Sequence, residues 1–495
     1  MTTSLSYDAP IRRPESLFIG GAWVAPSSDA RIDVITPITE QLFVSVAEAQ
    51  EADIERAVAA AREAFDNGPW PRLTHEERGQ YLRAIGKALA ARAADASRIW
   101  TSEMGILHSI SSEFVPALEQ AYGFYADLAG RFAWEERHTP TAGGEVGLLV
   151  REPVGVVGAI IPWNAPASLI AYKMAPALLA GCTFIIKASP EAPGLPYLMA
   201  EIAEEVGLPA GVLNVVTADR AVSELLVRHP GVDKISFTGS TAAGRRIASL
   251  CGERIARCTL ELGGKSAAVI LDDYDVGTAA DSISSMAPLM TGQVCSSLTR
   301  IIVSEHRHDA LVDALAASFS QTKVGDPFDP ETQMGPLAMS RQRDRIEQLV
   351  EQGKAEGATL ATGGGRPAHL NRGVYFEPTV FGNVDNRSTI AREEFFGPVL
   401  SVIPARDEAD AVRIANDSIY GLNASVFTND IDRAYATARQ LRSGTVGHNM
   451  FRSDFGIAFG GFKQSGLGRE GGVEGLHPYL ETKTVILDAE PGHLR

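Results

Sequence analysis

The chain lacks the features that mark secreted, membrane-spanning and zinc-binding proteins. Its 495 residues include four cysteines, Cys182, Cys251, Cys258 and Cys295, with no CxxC pair and no His/Cys cluster. This pattern argues against a structural metal site and for a reducing compartment. The first residues lack the apolar core of a signal peptide, and no run approaches the roughly 18 apolar residues of a membrane helix. We therefore expect a cytoplasmic protein with no membrane partner and no metal.

Basic residues are scarce relative to acidic ones. The formal net charge is −16 at pH 7, and such an acidic surface repels nucleic acid and anionic lipid. The chain is also too long for one hydrophobic core, so two or three domains are expected. We expect no nucleic-acid partner, and any basic site should be a small local pocket.

The hydrophobic pattern changes at the segment TPTAGGE, residues 139–145. Before it, apolar residues recur at steps of three and four, so the first 130 residues are expected to be mostly helical. After it, Val/Ile-rich runs alternate with amphipathic ones, which predicts βαβ units and a parallel sheet. These runs are VGVVGAII, CTFIIK, VLNVV, KISF and AAVIL, followed beyond Cys295 by RIIVS, VLSVI and ASVF. The pattern predicts two α/β domains.

Two strand-like segments have no helix beside them. They are EVGLLVREP near Val150 and ETKTVIL near Val485, and they could pair as a protruding ribbon. Open ribbon edges usually find a partner chain. A homodimer or homotetramer is therefore expected.

A glycine-containing stretch, FTGSTAAGRR at residues 237–246, follows a predicted strand and opens a predicted helix. Glycine allows close approach of a ligand, and a helix N-terminus suits a pyrophosphate. The stretch is not a Walker loop, because Arg245 and Arg246 stand where Lys and Ser/Thr are needed, and it lacks the GxGxxG order. Taken alone, an ordinary strand-to-helix turn is the better interpretation.

Candidate catalytic groups lie among small residues: Cys295 in GQVCSSLTR and Glu261 in ELGGKS. A lone cysteine is more often a buried small hydrophobe, but a thiol and a carboxylate facing one cleft would serve as nucleophile and base. Asn164 in IIPWNAP could hold an oxyanion or cap a helix. Lys187 in IIKASP could bind a ribose hydroxyl or remain solvated.

A set of ordered motifs together resembles the aldehyde dehydrogenase superfamily, from about Phe18 to Val485. The motifs are IIPWNAP, IIKASP, FTGS, LELGGKS, GQVC, EEFFGPV, YGLNASVFT and FGGFKQSGLGRE. The resemblance implies an α/β fold with two Rossmann-like domains and a β-ribbon oligomerisation arm. It implies a dinucleotide-binding domain at 1–130 and 152–263, a catalytic domain at 264–464, and an arm at 131–151 and 476–495.

The resemblance also implies oxidation of an aldehyde to the acid, with hydride transfer to NAD(P). Cys295 would form a thiohemiacetal and then a thioester, with Asn164 holding the oxyanion. Water activated by Glu261 would hydrolyse the thioester, and Lys173 and Glu470 would form the proton exit route. The cofactor-binding residues implied by the resemblance are Ile160, Pro162, Trp163, Lys187, Ser189, Gly239, Ser240, Leu262, Glu394 and Phe396.

The motifs depart from the family pattern in three places. Pro190 replaces a glutamate that would bind ribose hydroxyls and repel a 2′-phosphate; Glu191 could compensate, although Pro190 fixes the backbone there. NAD is expected, with NADP as the alternative. Ala165 replaces a common aromatic residue, which favours a medium-to-large apolar aldehyde, long-chain, aromatic or terpenoid. Its predicted pocket consists of Ala165, Leu169, Tyr172, Val294, Phe451 and Phe459. The third departure is Met290-Thr291, where Asn-Ala is common.

The same residues bear on three other functions. A CoA-acylating relative would generally lack the glutamate that matches Glu261. A catalytically silent structural or binding homologue would not need Cys295, Glu261 and Asn164. A thiol hydrolase usually requires a histidine base, and no histidine lies in a motif near Cys295. The hydrolytic aldehyde dehydrogenase is therefore the favoured hypothesis.

Overall fold

The computed structural model describes residues 9–492 and arranges them around four β-sheets. Two of the sheets are large and mostly parallel, which confirms the predicted α/β class. Residues 1–8 of the predicted dinucleotide-binding domain and residues 493–495 of the predicted arm lie outside the described residues.

The α-helices and β-strands of the described chain alternate for most of its length. The helices are α1 Glu51–Asp66, α2 His75–Ala91, α3 Ala93–Met104, α4 His108–Ala117, α5 Glu119–Leu128, α6 Pro166–Ala180, α7 Gly194–Glu205, α8 Arg220–Arg228, α9 Thr241–Glu253, α10 Val276–Met286, α11 His308–Ser320, α12 Ser340–Ala355, α13 Thr389–Arg392, α14 Glu408–Asn416 and α15 Ile431–Ala438. The strands are β1 Leu17–Ile19, β2 Ala22–Val24, β3 Arg31–Thr36, β4 Gln41–Ala47, β5 Glu135–His138, β6 Val146–Pro153, β7 Val156–Ile160, β8 Thr183–Ala188, β9 Leu213–Thr217, β10 Lys234–Thr238, β11 Arg257–Glu261, β12 Ser266–Ile270, β13 Leu298–Ser304, β14 Thr359–Thr362, β15 Thr379–Gly382, β16 Val399–Ala405, β17 Asn423–Phe427, β18 Thr445–His448, β19 Gly466–Leu467 and β20 Leu480–Leu487.

The first large sheet has the order β19-β11-β10-β7-β8-β9-β1-β2. Its five middle strands are parallel, and β19 and β1 join them antiparallel at the sides. Because helices cover both faces, strands such as β7 are buried at every residue. The chain runs from β7 to β9 on one side and then crosses to β10, so the strand order reverses beside β7. Such a switch point forms a ligand crevice at the carboxyl ends of the strands.

The second large sheet has the order β14-β15-β16-β13-β12-β17-β18, parallel except for β14. The predicted strands RIIVS, VLSVI and ASVF are confirmed as parts of β13, β16 and β17. Residues of α12 and α14 share a buried apolar cluster with one face of this sheet. The sheet therefore forms a second α/β unit with its own core.

The two strands without neighbouring helices pair with each other, as predicted. β20 lies antiparallel to β6, with Val485 opposite Leu148, and β5 completes a three-stranded sheet. β6 extends to Pro153, two residues beyond the limit expected for the arm. The domain boundaries and the use of this sheet in an oligomer remain predictions.

The expectation of a mostly helical first segment missed β1 to β4. RIDVIT and QLFVSVA pair as β3 and β4, with alternating exposure along β3, and β1 extends the first large sheet. Their period-two patterns are short and were outweighed by the long helical pattern that begins at α1. No helix within residues 9–492 combines the length and the apolar character needed to cross a membrane.

Candidate active site

A cavity of about 330 Å³ opens between the two large α/β units. The loops after β7 and β10 contribute one side, and the segment before β13 contributes Cys295. Of the predicted site residues, those that line it are Pro162, Trp163, Asn164, Ala165, Leu169, Gly239, Ser240, Leu262, Val294, Cys295, Glu394, Phe396, Phe451 and Phe459. The predicted nucleophile, oxyanion donor and much of the predicted cofactor site therefore share one cavity.

Cys295 follows a turn with unusual backbone geometry. Met290, Thr291 and Gly292 have φ of 52°, 56° and 70°, in the left-handed region. This conformation is unfavourable for the β-branched Thr291. Its hydroxyl is close to the Gly335 and Pro336 carbonyls, at 3.1 and 3.0 Å. Hydrogen bonding there offsets the strain and fixes the turn that leads to Cys295.

The thiol of Cys295 is surrounded by protein although the residue keeps some exposed surface. Burial, with repulsion from the Glu394 and Glu261 carboxylates, raises the pKa of Cys295 to about 12. Hydrogen bonds from the backbone N–H groups of Cys295 and Ser296 lower this pKa, but by less than burial raises it. The thiol is therefore neutral at pH 7 unless a positive charge arrives beside it.

Asn164 directs its side chain toward the loop that carries Cys295. The side-chain Nδ2 donates to the backbone carbonyl of Gln293 at 3.2 Å. The backbone carbonyl of Asn164 accepts from Trp100 Nε1 at 2.8 Å. The N-cap of α6 is Ala165, which makes no side-chain capping bond. The helix-cap interpretation of Asn164 is therefore wrong, and its amide faces the loop that carries Cys295.

Glu261 ends β11 and is 2% exposed. Neither of its carboxylate oxygens has a hydrogen-bond partner among the described residues. Burial, together with the negative charge of Glu470, raises the pKa of Glu261 well above its ordinary value. Its Oε1 lies against Gly460: a Cβ built on that glycine would be only 2.6 Å from the Oε1 atom. The carboxylate does not line the cavity in this conformation.

Lys173 of α6 and Glu470 form a buried ion pair next to Glu261. The backbone of Glu470 exchanges two hydrogen bonds with that of Phe459, at 2.6 and 2.8 Å. Phe459 lines the cavity. The pair therefore connects the surroundings of Glu261 with the cavity wall.

The carboxyl ends of β10 and β11 offer polar groups to a ligand. Thr238 lines the cavity, and its buried hydroxyl has no hydrogen-bond partner within residues 9–492. Ser240 caps α9, leaving that helix N-terminus at the cavity. Glu394 Oε1 accepts from the Gly264 N–H at 3.0 Å, and burial raises the pKa of Glu394 to about 7. A Cβ at Gly263 would lie 2.3 Å from Glu394 Oε2, so a side chain at this position would displace the carboxylate.

Some predicted residues lie outside the cavity lining: Ile160, Tyr172, Lys173, Lys187, Ser189, Glu261 and Glu470. Lys187 is near the carboxyl end of β8, beside β7, and burial lowers the pKa of its ammonium to about 8. Tyr172 does not line the cavity itself, and its part in the substrate pocket stays a prediction. It stacks behind Phe455, which itself lines the cavity.

Sequence reasoning missed Phe455, Phe114, Ser453 and Thr238, all of which line the cavity. Phe455 stacks on Tyr172 at 4.2 Å and on Phe459 at 4.3 Å between ring centroids. It lies in an irregular segment, so no helical or strand period indicated its direction. Thr238 could have been suggested by its place immediately before Gly239.

Comparisons with known proteins identify the family. A model described as the aldehyde dehydrogenase family matches residues 23–485. The chain therefore belongs to the aldehyde dehydrogenase family, and the resemblance predicted from the motifs is confirmed.

Similar proteins cover nearly the whole chain. Geranial dehydrogenase of Castellaniella defragrans is 45% identical over 477 residues, covering 96% of this chain and 98% of the relative. The crystal structure of a Mycobacterium tuberculosis aldehyde dehydrogenase complexed with NAD+ has a TM-score of 0.93 at 43% identity, with 96% and 98% of the two chains covered. A cysteine-to-alanine mutant of aldehyde dehydrogenase C from Pseudomonas syringae, complexed with NAD+ and octanal, has a TM-score of 0.93 at 36% identity, covering 98% and 99%.

Proposed function

We propose that this protein oxidises a medium-to-large apolar aldehyde to the carboxylic acid with NAD+ as the hydride acceptor. The observation that carries the proposal is the meeting of Cys295 and Asn164 in one cavity whose wall is mainly apolar and aromatic. Family membership supports the reaction class.

The first step takes place at Cys295. The Cys295 thiol first loses its proton to solvent water. The resulting thiolate attacks the aldehyde carbon, a C–S bond forms, and the carbonyl π electrons move to oxygen. One N–H of the Asn164 amide bonds to Gln293, which leaves the other for the oxyanion, together with the backbone N–H of Cys295. When the oxyanion collapses, hydride leaves the carbon and a thioester remains on the sulfur.

The second step releases the acid. Glu261 removes a proton from water, the hydroxide adds to the thioester carbon, and the Cys295 sulfur leaves as thiolate. The raised pKa of Glu261 suits a base that must both accept and give up a proton near neutral pH. Because its carboxylate lies against Gly460, its side chain must turn toward Cys295. The Lys173–Glu470 pair, which lies near enough to act on the pKa of Glu261, then takes the proton onward.

The residues around the switch point fit a nicotinamide dinucleotide. The Thr238 hydroxyl, which has no partner within residues 9–492, and the N-terminus of α9 at the cavity provide polar groups. The glycine at 239 lets the backbone come close to a ligand. Ser240 and Gly239 would hold the pyrophosphate, Lys187 the adenosine ribose, and Glu394 with Phe396 the nicotinamide end. When bound, NAD+ supplies the hydride acceptor. The NAD+ complexes of related structures support this choice.

The substrate class follows from the cavity wall. Phe114, Phe451, Phe455 and Phe459 line it with Leu169 and Val294, among other residues, and burial of apolar surface favours long-chain, aromatic or terpenoid aldehydes. A geranial dehydrogenase and an octanal complex among the relatives support the same class. No acidic or basic side chain among the predicted substrate residues calls for a charged substrate.

We further propose that the protein forms a homodimer or homotetramer through the sheet of β5, β6 and β20. β5 and β20 are the outer strands of this sheet. Outer strands present unpaired backbone groups to a partner chain. Ile486 on β20 is 54% exposed and adds an apolar side chain to that surface.

A substrate screen tests the proposed function. Purified protein is assayed for NADH and NADPH production with acetaldehyde, octanal, an aromatic aldehyde and a terpenoid aldehyde, with and without CoA. We expect octanal and the larger aldehydes to exceed acetaldehyde in kcat/KM and to yield free acid regardless of CoA. Higher kcat/KM for acetaldehyde contradicts the substrate class, and an acyl-CoA product contradicts the hydrolytic step. Cys295→Ala should abolish all turnover.

A further inference from the structure

Two of the four cysteines lie together at the end of α9 that is farther from the cavity. Cys251 belongs to the last turn of α9, and Cys258 is the second residue of β11. The cavity is at the opposite ends of these elements, where Ser240 precedes α9 and Leu262 follows β11. Because a helix rises about 1.5 Å per residue, Cys251 is about 15 Å along α9 from its first residue. The two thiols are therefore separate from the candidate active site.

The turn between the two cysteines leads the chain back beside the end of the helix. The Ala256 N–H donates to the Cys251 carbonyl at 2.9 Å. The Ile255 N–H donates to the Gly252 carbonyl at 3.3 Å. These two bonds form a Schellman motif, and Ile255, with φ of 57°, is its left-handed residue. β11 therefore begins next to the last turn of α9.

The strand register directs the Cys258 side chain toward the helix. Cys258 is the partner of Ile235 in the parallel pairing of β10 with β11. Leu260 lies on the same face as Cys258, because side chains two residues apart on a strand point the same way. Ile235, Leu260 and Cys251 belong to one buried apolar cluster, and Cys258 packs against it. The two thiols thus meet between α9 and the sheet, where they share a hydrogen bond.

The contact makes the two thiols unequal. The hydrogen bond from Cys251 lowers the pKa of Cys258, and the charge of Lys234 acts in the same direction, whereas burial opposes both. The same hydrogen bond, together with burial, raises the pKa of Cys251. Cys258 keeps some exposed surface, while Cys251 is 1% exposed. An accessible thiol of low pKa beside a second thiol is the arrangement that peroxides oxidise and that then closes to a disulfide.

We propose that Cys251 and Cys258 form a dithiol site that hydrogen peroxide oxidises to a disulfide before it oxidises Cys295. The Cys258 thiolate attacks one peroxide oxygen, an S–O bond forms and the O–O bond breaks. The hydroxide that leaves takes up the proton given by the thiol, so Cys258 sulfenic acid and one water result. The Cys251 sulfur then attacks the Cys258 sulfur, an S–S bond forms, and the hydroxyl leaves with the Cys251 proton as a second water.

The order of oxidation follows from the state of each thiol. Burial and the neighbouring carboxylates raise the pKa of Cys295, so its thiol is neutral at pH 7 and reacts slowly with peroxide. Oxidised Cys258 has a resolving thiol in contact, which diverts it from the irreversible sulfinic acid. In a reducing compartment such a disulfide is transient and is returned to the dithiol by thiol exchange.

Limited oxidation of the purified full-length protein tests the proposal. The protein is treated at pH 7 with an equimolar amount of hydrogen peroxide until the peroxide is consumed, then denatured and alkylated with a maleimide. The untreated chain has four cysteines to label, and the treated chain should take up two fewer labels. Mass spectrometry of its peptides should show a disulfide between Cys251 and Cys258 and a labelled Cys295. Dithiothreitol should restore full labelling.

Single substitutions separate the parts of the two thiols. In Cys251→Ser, oxidation of Cys258 should stop at the sulfenic acid, which dimedone traps. In Cys258→Ser, Cys251 should keep its label at the same peroxide dose. Cys182→Ser is the matched control, because the buried Cys182 thiol donates to the Tyr479 carbonyl at 3.5 Å and not to another thiol. This control should form the disulfide to the same extent as the unmodified chain.

Three outcomes overturn the proposal. They are oxidation of Cys295 while Cys251 and Cys258 are still labelled, a disulfide that joins two chains on a non-reducing gel, and equal loss of the Cys251 label in Cys258→Ser. The first two are measured on the unmodified chain, so they decide the question even if a variant does not fold. None of these measurements uses an aldehyde or a dinucleotide. A failure of the proposed aldehyde oxidation would therefore leave the result for the dithiol site unaffected.

Discussion

Lys173 and Glu470 form an ion pair in which the two side chains are 0% and 2% exposed. Glu261 lies near enough for the charge of Glu470 to raise its pKa and that of Lys173 to lower it. A buried pair of this kind is costly to break but contributes little net stability. Because the pair lies beside the proposed base, we expect it to adjust the protonation of Glu261.

The first prediction concerns the pH dependence of thioester hydrolysis. Glu261 must be deprotonated to act as base, so hydrolysis should accelerate as pH rises through its pKa. Glu470→Gln removes a repelling negative charge and leaves the Lys173 cation, so the pKa of Glu261 should fall. The midpoint of the pH profile of acid release should therefore move to lower pH in Glu470→Gln. Pre-steady-state measurement of acid release at a series of pH values checks this shift.

Tyr125→Phe provides the control for that profile. The Tyr125 hydroxyl is buried near Glu470 but adds no charge at neutral pH, because burial raises its pKa far above the ordinary value. Its removal should leave the midpoint in place. An unchanged or higher midpoint in folded Glu470→Gln would show that Glu470 does not influence the base.

Removal of the base itself should separate the two steps. In Glu261→Gln, Cys295 and Asn164 remain, so the thioester should form with release of one NADH per active site. Hydrolysis should then slow by about 10²-fold or more. Rapid mixing with absorbance at the NADH band measures the burst and the steady phase. Steady turnover at the unmodified rate would contradict the role of Glu261.

Asn164→Ala should slow thioester formation rather than hydrolysis alone. Loss of one oxyanion donor typically costs about 10²–10³ in kcat. The intrinsic reactivity of Cys295 should change little, because the Asn164 side chain bonds to Gln293 and not to the sulfur. Alkylation of Cys295 by iodoacetamide, measured beside single-turnover NADH formation, separates these effects. Parallel losses of alkylation and turnover would instead indicate a displaced nucleophile loop.

Much of the fold was predictable because the parallel strands are long enough to give continuous apolar runs. β11 was not predicted, since it begins with the exposed Arg257 and has only a short buried end. The position of a cavity residue was predictable where it follows a strand end, as for Gly239 after β10. The direction of Glu261 toward Gly460, the ion pair of Glu191 with Arg341 and the stacking of Phe455 depend on segments distant in sequence. Such contacts have no local period from which they could be inferred.

The proposed oligomer can be tested by substitutions on β20, an outer strand of the three-stranded sheet. Ile486→Asp places a charge on an exposed apolar position of β20 and should shift the protein toward smaller species. Thr484→Asp, on the same exposed face two residues away, tests whether a charge anywhere on that face reduces the mass of the assembly. A smaller reduction in mass is expected, because this substitution removes less apolar surface. Light scattering after size-exclusion chromatography measures the mass. An unchanged mass in Ile486→Asp would contradict assembly through β20.

Phe455 lines the same cavity as Ala165 and Cys295, and its ring stacks between those of Tyr172 and Phe459. Phe455→Ala should therefore lower kcat/KM for octanal and larger aldehydes by about tenfold, the effect of losing roughly 1.4 kcal/mol of apolar contact. Acetaldehyde is too short to depend on this wall, so its kcat/KM should change much less. Tyr435→Ala removes a ring that is 68% exposed on α15, outside the cavity lining, and should change neither value. Equal losses for acetaldehyde and octanal in Phe455→Ala would show that the ring supports the catalytic geometry rather than selecting large substrates.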